Sequence, residues 1–245
     1  MKPVAVFIFT ITSTILIILF FQSSPTPQKN TMMAPSFVLW LHGLGDSGPA
    51  NEPIKTFFTS PEFRNTSWSF PSAPTVTVPI NGGVMPSWFD IHEIPITVAS
   101  PKNESGVLKA VQKVHAMIDK EVAAGTDPEK IFICGFSQGG ALTLASVLLY
   151  PKKLGGGAVF SGWVPVGPSI IESIAPDAKK TPILWSHGIA DSTVLFEAGQ
   201  AGPPFLQEVG ISCEFKAYPN LGHSISTEEM QLLESWIKTR LKSSS

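Results

Sequence analysis

From Phe37 onward, short apolar runs alternate with longer amphipathic stretches, the pattern of strands crossed over by helices in a mostly parallel sheet. Phe37 to Leu41 is a continuous apolar run that ends in His42-Gly43-Leu44-Gly45-Asp46, which predicts a buried strand feeding a functional loop. Ser67 to Phe70 is a weaker strand candidate. Pro71 to Trp88 mixes prolines with Gly82-Gly83 and is expected to be a long surface loop without a regular element; loops of this length often serve as lids. Glu104 to Ala124 places Val107, Leu108, Val111, Val114, Ile118 and Val122 at helical spacing, with Gly125 as its stop. Lys130 to Cys134 predicts a strand, Gly135 to Gly140 a turn, and Ala141 to Leu149 an apolar helix ended by Pro151. Strands are expected at Gly157 to Phe160, Ile183 to Ser186 and Ile211 to Tyr218, and helices at Phe196 to Val209 and Thr227 to Leu241. Residues 36–245 should therefore form one α/β domain, with a mostly parallel central sheet and helices on both faces.

The amino end breaks this alternation. Val4 to Phe21 carries no charge, only Lys2 precedes it, and the run is long enough to cross a membrane. Residues 1–35 are expected to be a hydrophobic segment and linker, with three readings open: an uncleaved anchor, a signal peptide whose cleavage site at Gln22-Ser23-Ser24 is poor, or an extension unused when Met32 or Met33 is the start. The protein is then membrane-anchored through residues 4–21, or cytoplasmic where the segment is absent, and the flanking charges are too few to set topology.

Charge and cysteine content narrow the chemistry. A formal net charge of −2 with no run of Lys or Arg lacks the electrostatic footprint of a nucleic-acid binder, so no nucleic-acid partner is expected. The two cysteines, Cys134 and Cys213, lie in apolar strand-like segments, which argues for two buried thiols and excludes a disulfide framework or a CxxC site.

Gly135-Phe136-Ser137-Gln138-Gly139 fits the G-x-S-x-G elbow, in which a serine sits on a strained turn between strand and helix with its hydroxyl raised. With 20 glycines in 245 residues the bare pattern arises by chance in roughly one such chain in five or six, so the β-branched strand before it and the Ala/Leu helix after it carry the weight. The plainer alternative is a glycine-rich turn with a solvent-facing serine. Gly135 and Gly139 are expected where strand and helix nearly touch and a Cβ would collide with backbone.

A serine hydroxyl is a weak nucleophile near neutral pH and needs a base, a task that suits histidine. His42 and His187 each precede a glycine at a strand end, where a ring packs and bonds to backbone; His92 lies in a proline-containing loop, and His115 sits on a helix as a surface or rim residue. His223 follows the last strand and precedes the final helix, so it overhangs the same sheet edge as Ser137 and is the expected base, with His187 or a structural role for His223 as alternatives. Asp191, directly past the strand ILWS, is expected to hold the imidazole tautomer unless it only shapes a turn or caps a helix. The chain order Ser137, Asp191, His223 is that of an α/β-hydrolase triad. Two N–H donors must meet the developing oxyanion, and the amides of Gln138, at the helix start, and Leu44, in HGLGD, are the expected pair. That glycine loop contains neither G-x-G-x-x-G nor the P-loop pattern, which argues against phosphate binding.

Taken together, LHGLGDSG at 41–48, PSWFD at 86–90, IFICGFSQGGALTL at 131–144, HGIADSTV at 187–194 and the late Gly222-His223 resemble, in order, the motifs of the acyl-protein thioesterase and carboxylesterase family, the phospholipase/carboxylesterase group of α/β hydrolases. The resemblance runs from about Phe37 to the end and implies the α/β-hydrolase fold, the triad Ser137, Asp191 and His223, and the oxyanion amides of Leu44 and Gln138. It also places Trp88 beside the acyl-binding region as a substrate-binding residue and makes the loop before it a lid, with no cofactor and no metal. Two features depart from the family: its members are typically soluble, and the lid sequence TVTVPINGGVMPSW is individual. SWFDIHEIP and SGWVPVG are similar to a plant subgroup that resembles protein deacetylases, which implies short acyl chains. The expected function is a serine carboxylesterase acting on acyl esters or thioesters of a protein, lipid or small carrier, as a monomer or weak dimer. The alternatives are a long-acyl protein thioesterase or lysophospholipase and, from another class, a ligand-binding receptor on a hydrolase scaffold.

Overall fold

The alternation of strand and helix closes into one six-stranded sheet in a computed structural model that describes residues 35–80 and 82–243. The strands are β1 (Ser36–Leu41), β2 (Thr66–Ser69), β5 (Ile131–Phe136), β6 (Gly156–Phe160), β7 (Ile183–Gly188) and β8 (Cys213–Tyr218), in the order β2-β1-β5-β6-β7-β8, all parallel. A separate antiparallel hairpin pairs β3 (Thr75–Thr77) with β4 (Val84–Pro86). The helices are α1 (Gly48–Asn51), α2 (Glu104–Ala123), α3 (Gln138–Leu149), α4 (Phe196–Gln200), α5 (Gly202–Glu208) and α6 (Thr227–Ser243).

Side chains of successive strand residues point to opposite faces, and the core follows that period of two. Phe37, Leu39 and Leu41 of β1 enter the layer formed with α2, α3 and α5, whereas Val38 and Trp40 enter the layer formed with Met230, Leu233, Trp236 and Ile237 of α6. Register aligns Leu41 with Gly135, Gly135 with Val159, and Gly188 with Tyr218. The loops after β1, β5, β7 and β8 therefore gather at one carboxyl edge, where open parallel sheets place their sites.

Several expectations needed correction. The stretch 71–88 contains the β3–β4 hairpin: Pro74 and Pro79 flank β3 rather than interrupt it, and the alternating Thr75-Val76-Thr77 pairs with Val84-Met85-Pro86. Its connection is closed by Val78 N–H donating to the Gly83 carbonyl at 2.8 Å. β5 runs on to Phe136 and α3 begins at Gln138, so the expected six-residue turn shrinks to Ser137 alone. The expected helix at 196–209 is two helices, because Pro203 and Pro204 cannot donate to the preceding turn and instead start α5. His115 is half-buried between α2 and α3, its Nε2–H donating to the Ser146 carbonyl at 2.8 Å. Cys134 is buried as expected and Cys213 only half-buried; burial raises both thiols, Cys213 to about 12, so neither is a thiolate near neutral pH. The readings of the amino-terminal segment fall at 1–34, outside the described residues; among the described residues no helix is long and apolar enough to cross a membrane.

Candidate active site

β5 delivers Ser137 to the carboxyl edge in a conformation that L-residues rarely adopt, φ 54° and ψ −120°. Such strain costs about 1–3 kcal/mol and persists only where neighbours over-determine it. Here Ser137 N–H donates to the Phe160 carbonyl at 2.8 Å, and the Ser137 carbonyl accepts from Ala141 N–H at 3.0 Å. A Cβ on Gly135 would lie 2.3 Å from the Gly139 carbonyl oxygen, the close strand–helix approach the sequence predicts. A Cβ on Gly139 would instead lie 2.0 Å from the Leu41 carbonyl oxygen, so this glycine makes room for the end of β1.

Asp191 follows β7 in a turn and is buried. Its Oδ1 accepts from the amides of Thr193 and Val194, both at 2.9 Å, leaving Oδ2 to face His223. Burial pushes this carboxyl up, but the bond from His223 and the two amides outweigh burial and hold it below the ordinary carboxylate value. His223 lies beyond β8, in a loop tied to the Asp191 turn by Ala190 N–H donating to the Leu221 carbonyl at 3.0 Å. Its Nδ1–H donates to Asp191 Oδ2 at 2.8 Å, its Nε2 accepts from the Ser137 hydroxyl at 2.9 Å, and its ring rests on Phe136. The three expected triad residues are thus brought into one hydrogen-bonded chain.

The other histidines are placed differently. His42 donates from Nδ1 to the Gly43 carbonyl at 2.6 Å and accepts at Nε2 from Ala73 N–H, so both ring nitrogens are locked to backbone. His187 is fully buried, and burial lowers its pKa. Its Nε2–H donates to the Val194 carbonyl at 2.9 Å and lies 3.5 Å from Asp191 Oδ2, so it braces the acid's turn from behind.

Ser137 and His223 open into a cavity of about 210 Å³ whose walls include Leu44, Ile91, Ile94, Ile96, Trp163 and Val194. Gln138 also lines it, and as the first residue of α3 its amide is one of the N–H groups a helix leaves without an internal acceptor. Leu44 stands in a tight turn in which Gly45 (φ 78°) donates to the Pro86 carbonyl at 2.9 Å and Asp46 N–H reaches back to Gly43. Trp88 does not line this cavity: its indole is buried beside His42 and donates to the His42 carbonyl at 2.9 Å. The tryptophan in the wall is Trp163, which the sequence reading missed, although its place in SGWVPVG directly after the apolar run ending at Phe160 marks it as a residue at the active edge. Among the described residues, no group of three or more His, Cys, Asp or Glu side chains is arranged to hold a metal ion.

The family described as Phospholipase/Carboxylesterase matches residues 27–241. The chain is 75% identical over 210 residues to a probable carboxylesterase of Oryza sativa subsp. japonica, across 85% of this chain and 79% of that one. It is 68% identical over 214 residues to carboxylesterase SOBER1 of Arabidopsis thaliana, across 87% of this chain and 94% of that one. The crystal structure of SOBER1 superposes with a TM-score of 0.84 over 85% of this chain and all of that one, at 67% identity. An acyl-protein thioesterase 1 of Cryptococcus neoformans is more distant, 34% identical across 89% of this chain and 100% of that one.

Proposed function

We propose that this chain, which belongs to the phospholipase/carboxylesterase family and is an esterase, uses Ser137 as its nucleophile, His223 as its general base and Asp191 to orient and stabilise the imidazolium. The observation that carries this reading is the pair of bonds at His223, 2.9 Å to Ser137 Oγ and 2.8 Å to Asp191 Oδ2. Ser137 Oγ attacks the ester or thioester carbonyl while its proton passes to His223 Nε2. The amides of Leu44 and Gln138 face the oxyanion of the tetrahedral intermediate, which collapses as His223 returns the proton to the departing alcohol or thiol. Water then attacks the acyl-serine under the same base, releasing the acid and restoring the Ser137 hydroxyl.

A short acyl chain fits the cavity best. Its volume of about 210 Å³ lies below the roughly 300–1,000 Å³ of pockets that take drug-sized ligands, and Ile91, Ile94 and Ile96 wall it. The second reading, a long acyl chain, is favoured by one observation: Trp163 also lines a neighbouring cavity of about 200 Å³, bounded further by Val98, Ile171 and Phe205. Comparing kcat/KM for acetyl, butyryl, octanoyl and palmitoyl esters decides between them. The proposal predicts a maximum at the short end, and a steady rise to octanoyl and beyond contradicts it. A fluorophosphonate probe should label the wild type and fail on Ser137→Ala, whereas a receptor with no working nucleophile would leave both unlabelled.

A further inference from the structure

We infer that Pro86 to Phe89 is a brace shared by the two oxyanion amides, and that the Gln138 side chain is the positioning residue that locks it; the inference rests on the reading of Ser137 as nucleophile. Gln138 is fully buried, and its side-chain amide grips three successive residues lying 49–51 positions earlier in the chain. Its Oε1 accepts from Trp88 N–H at 3.0 Å, while its Nε2 donates to Ser87 Oγ at 2.9 Å and to the Phe89 carbonyl at 2.7 Å. Ser87 Oγ in turn donates to the same Phe89 carbonyl at 2.7 Å.

The other amide reaches the same segment by a different route. The turn that carries Leu44 is tied by Gly45 N–H donating to the Pro86 carbonyl at 2.9 Å. The Trp88 indole adds a bond to the His42 carbonyl at 2.9 Å, and Gly139 packs beneath that carbonyl. Leu44 and Gln138, 94 positions apart in the chain, are therefore held in register through four intervening residues. From Phe89 the chain continues into Ile91, Ile94 and Ile96 of the cavity wall, so the brace also couples the oxyanion amides to the surface that meets the acyl group. An oxyanion hole works only when both donors stand about 2.7–3.1 Å from the oxygen, and a displacement of about 1 Å can cost on the order of 100-fold in rate.

The test compares wild type with Gln138→Met, which keeps the length of the side chain and removes all three bonds, and with Ser87→Ala, which removes one hydroxyl from the brace. Active sites are titrated with a fluorophosphonate. Then kcat and KM per titrated site are measured on an acetyl ester, together with the Ki of a methyl trifluoromethyl ketone. Ser137 Oγ adds to that ketone's carbonyl carbon, its proton passes to His223, and the resulting oxyanion occupies the hole. For Gln138→Met we expect kcat per site to fall about 10- to 100-fold, KM to stay within about twofold, and Ki to rise in parallel with the loss of kcat. Ser87→Ala should lose about three- to tenfold in the same pattern, and it carries the test alone where Gln138→Met does not fold. Lower yield or melting temperature with per-site kcat and Ki unchanged overturns the brace. A wild type that the fluorophosphonate does not label overturns the nucleophile reading instead, and the brace falls with it.

Discussion

At the elbow, Gly135 and Gly139 sit so close to neighbouring backbone that no side chain fits, Gln138 to Leu148 are buried without exception, and a strained Ser137 is held by main-chain bonds. Across the cavity, the segment from Pro71 to Val98 holds a hairpin of two three-residue strands, a buried Trp88, and exposed apolar residues at Val84, Ile94 and Val98. It is tied down at Ala73, whose N–H donates to His42 Nε2, at Ser87 to Phe89 by the Gln138 side chain, and at Ile96, whose N–H donates to the Thr193 carbonyl at 2.8 Å. The first region fixes positions to the accuracy that bond-making needs. In the second, Val78, Trp88, Phe89, Ile91 and Ile96 enter the core while Val84, Ile94 and Val98 stay exposed, so the exposed positions can change without opening the core, and Ile94 among them lines the cavity.

That contrast can be broken most severely at the acid. Asp191→Asn should fold and still lose on the order of 10⁴-fold in kcat, because an amide cannot both accept from the Thr193 and Val194 amides and keep the imidazole in the working tautomer; steady-state kinetics per titrated site checks this. Gly139→Ala comes next. A Cβ 2.0 Å from the Leu41 carbonyl forces backbone to move, and urea unfolding should show a loss of about 3 kcal/mol or more, together with activity. Ile94→Ala probes the other region: half-exposed and facing the cavity, it should change stability by less than about 0.5 kcal/mol yet move the preferred acyl chain up by one or two carbons, read from the kcat/KM series. If Ile94→Ala instead unfolds the protein while Gly139→Ala leaves it stable, the contrast is reversed.

The smallest expected effect is on acid stability. The carboxyl of Asp191 is held below its ordinary value in the folded state, so its contribution is fully present above the unfolded value of about 3.9 and is lost as pH falls through the folded value. Melting temperature against pH should therefore drop more steeply below about pH 4 in the wild type than in Asp191→Asn.

The meeting of Ser137, Asp191 and His223 was legible because each follows a strand whose apolar run is readable by itself, and parallel strands put those run ends on one edge. The elbow's boundaries were not, since β5 continues past the apolar run, through Gly135, to Phe136 before the chain turns at Ser137. The role of the Gln138 side chain was invisible for a related reason: its partners lie 49–51 positions earlier in the chain, and no period links them. The hairpin at 75–86 was overlooked because its prolines read as breakers, although they stand at the ladder's margins. The motif that singles out Trp88 leads to a residue outside the cavity, whose indole donates to the His42 carbonyl and supports backbone.

The most direct test of the central claim is to quench the enzyme during turnover of an acetyl ester and map the peptides by mass spectrometry. The account predicts one acetyl group on Ser137, absent from Ser137→Ala, with turnover lost in that variant. An acetyl group on a different side chain, or continued turnover by Ser137→Ala, contradicts it.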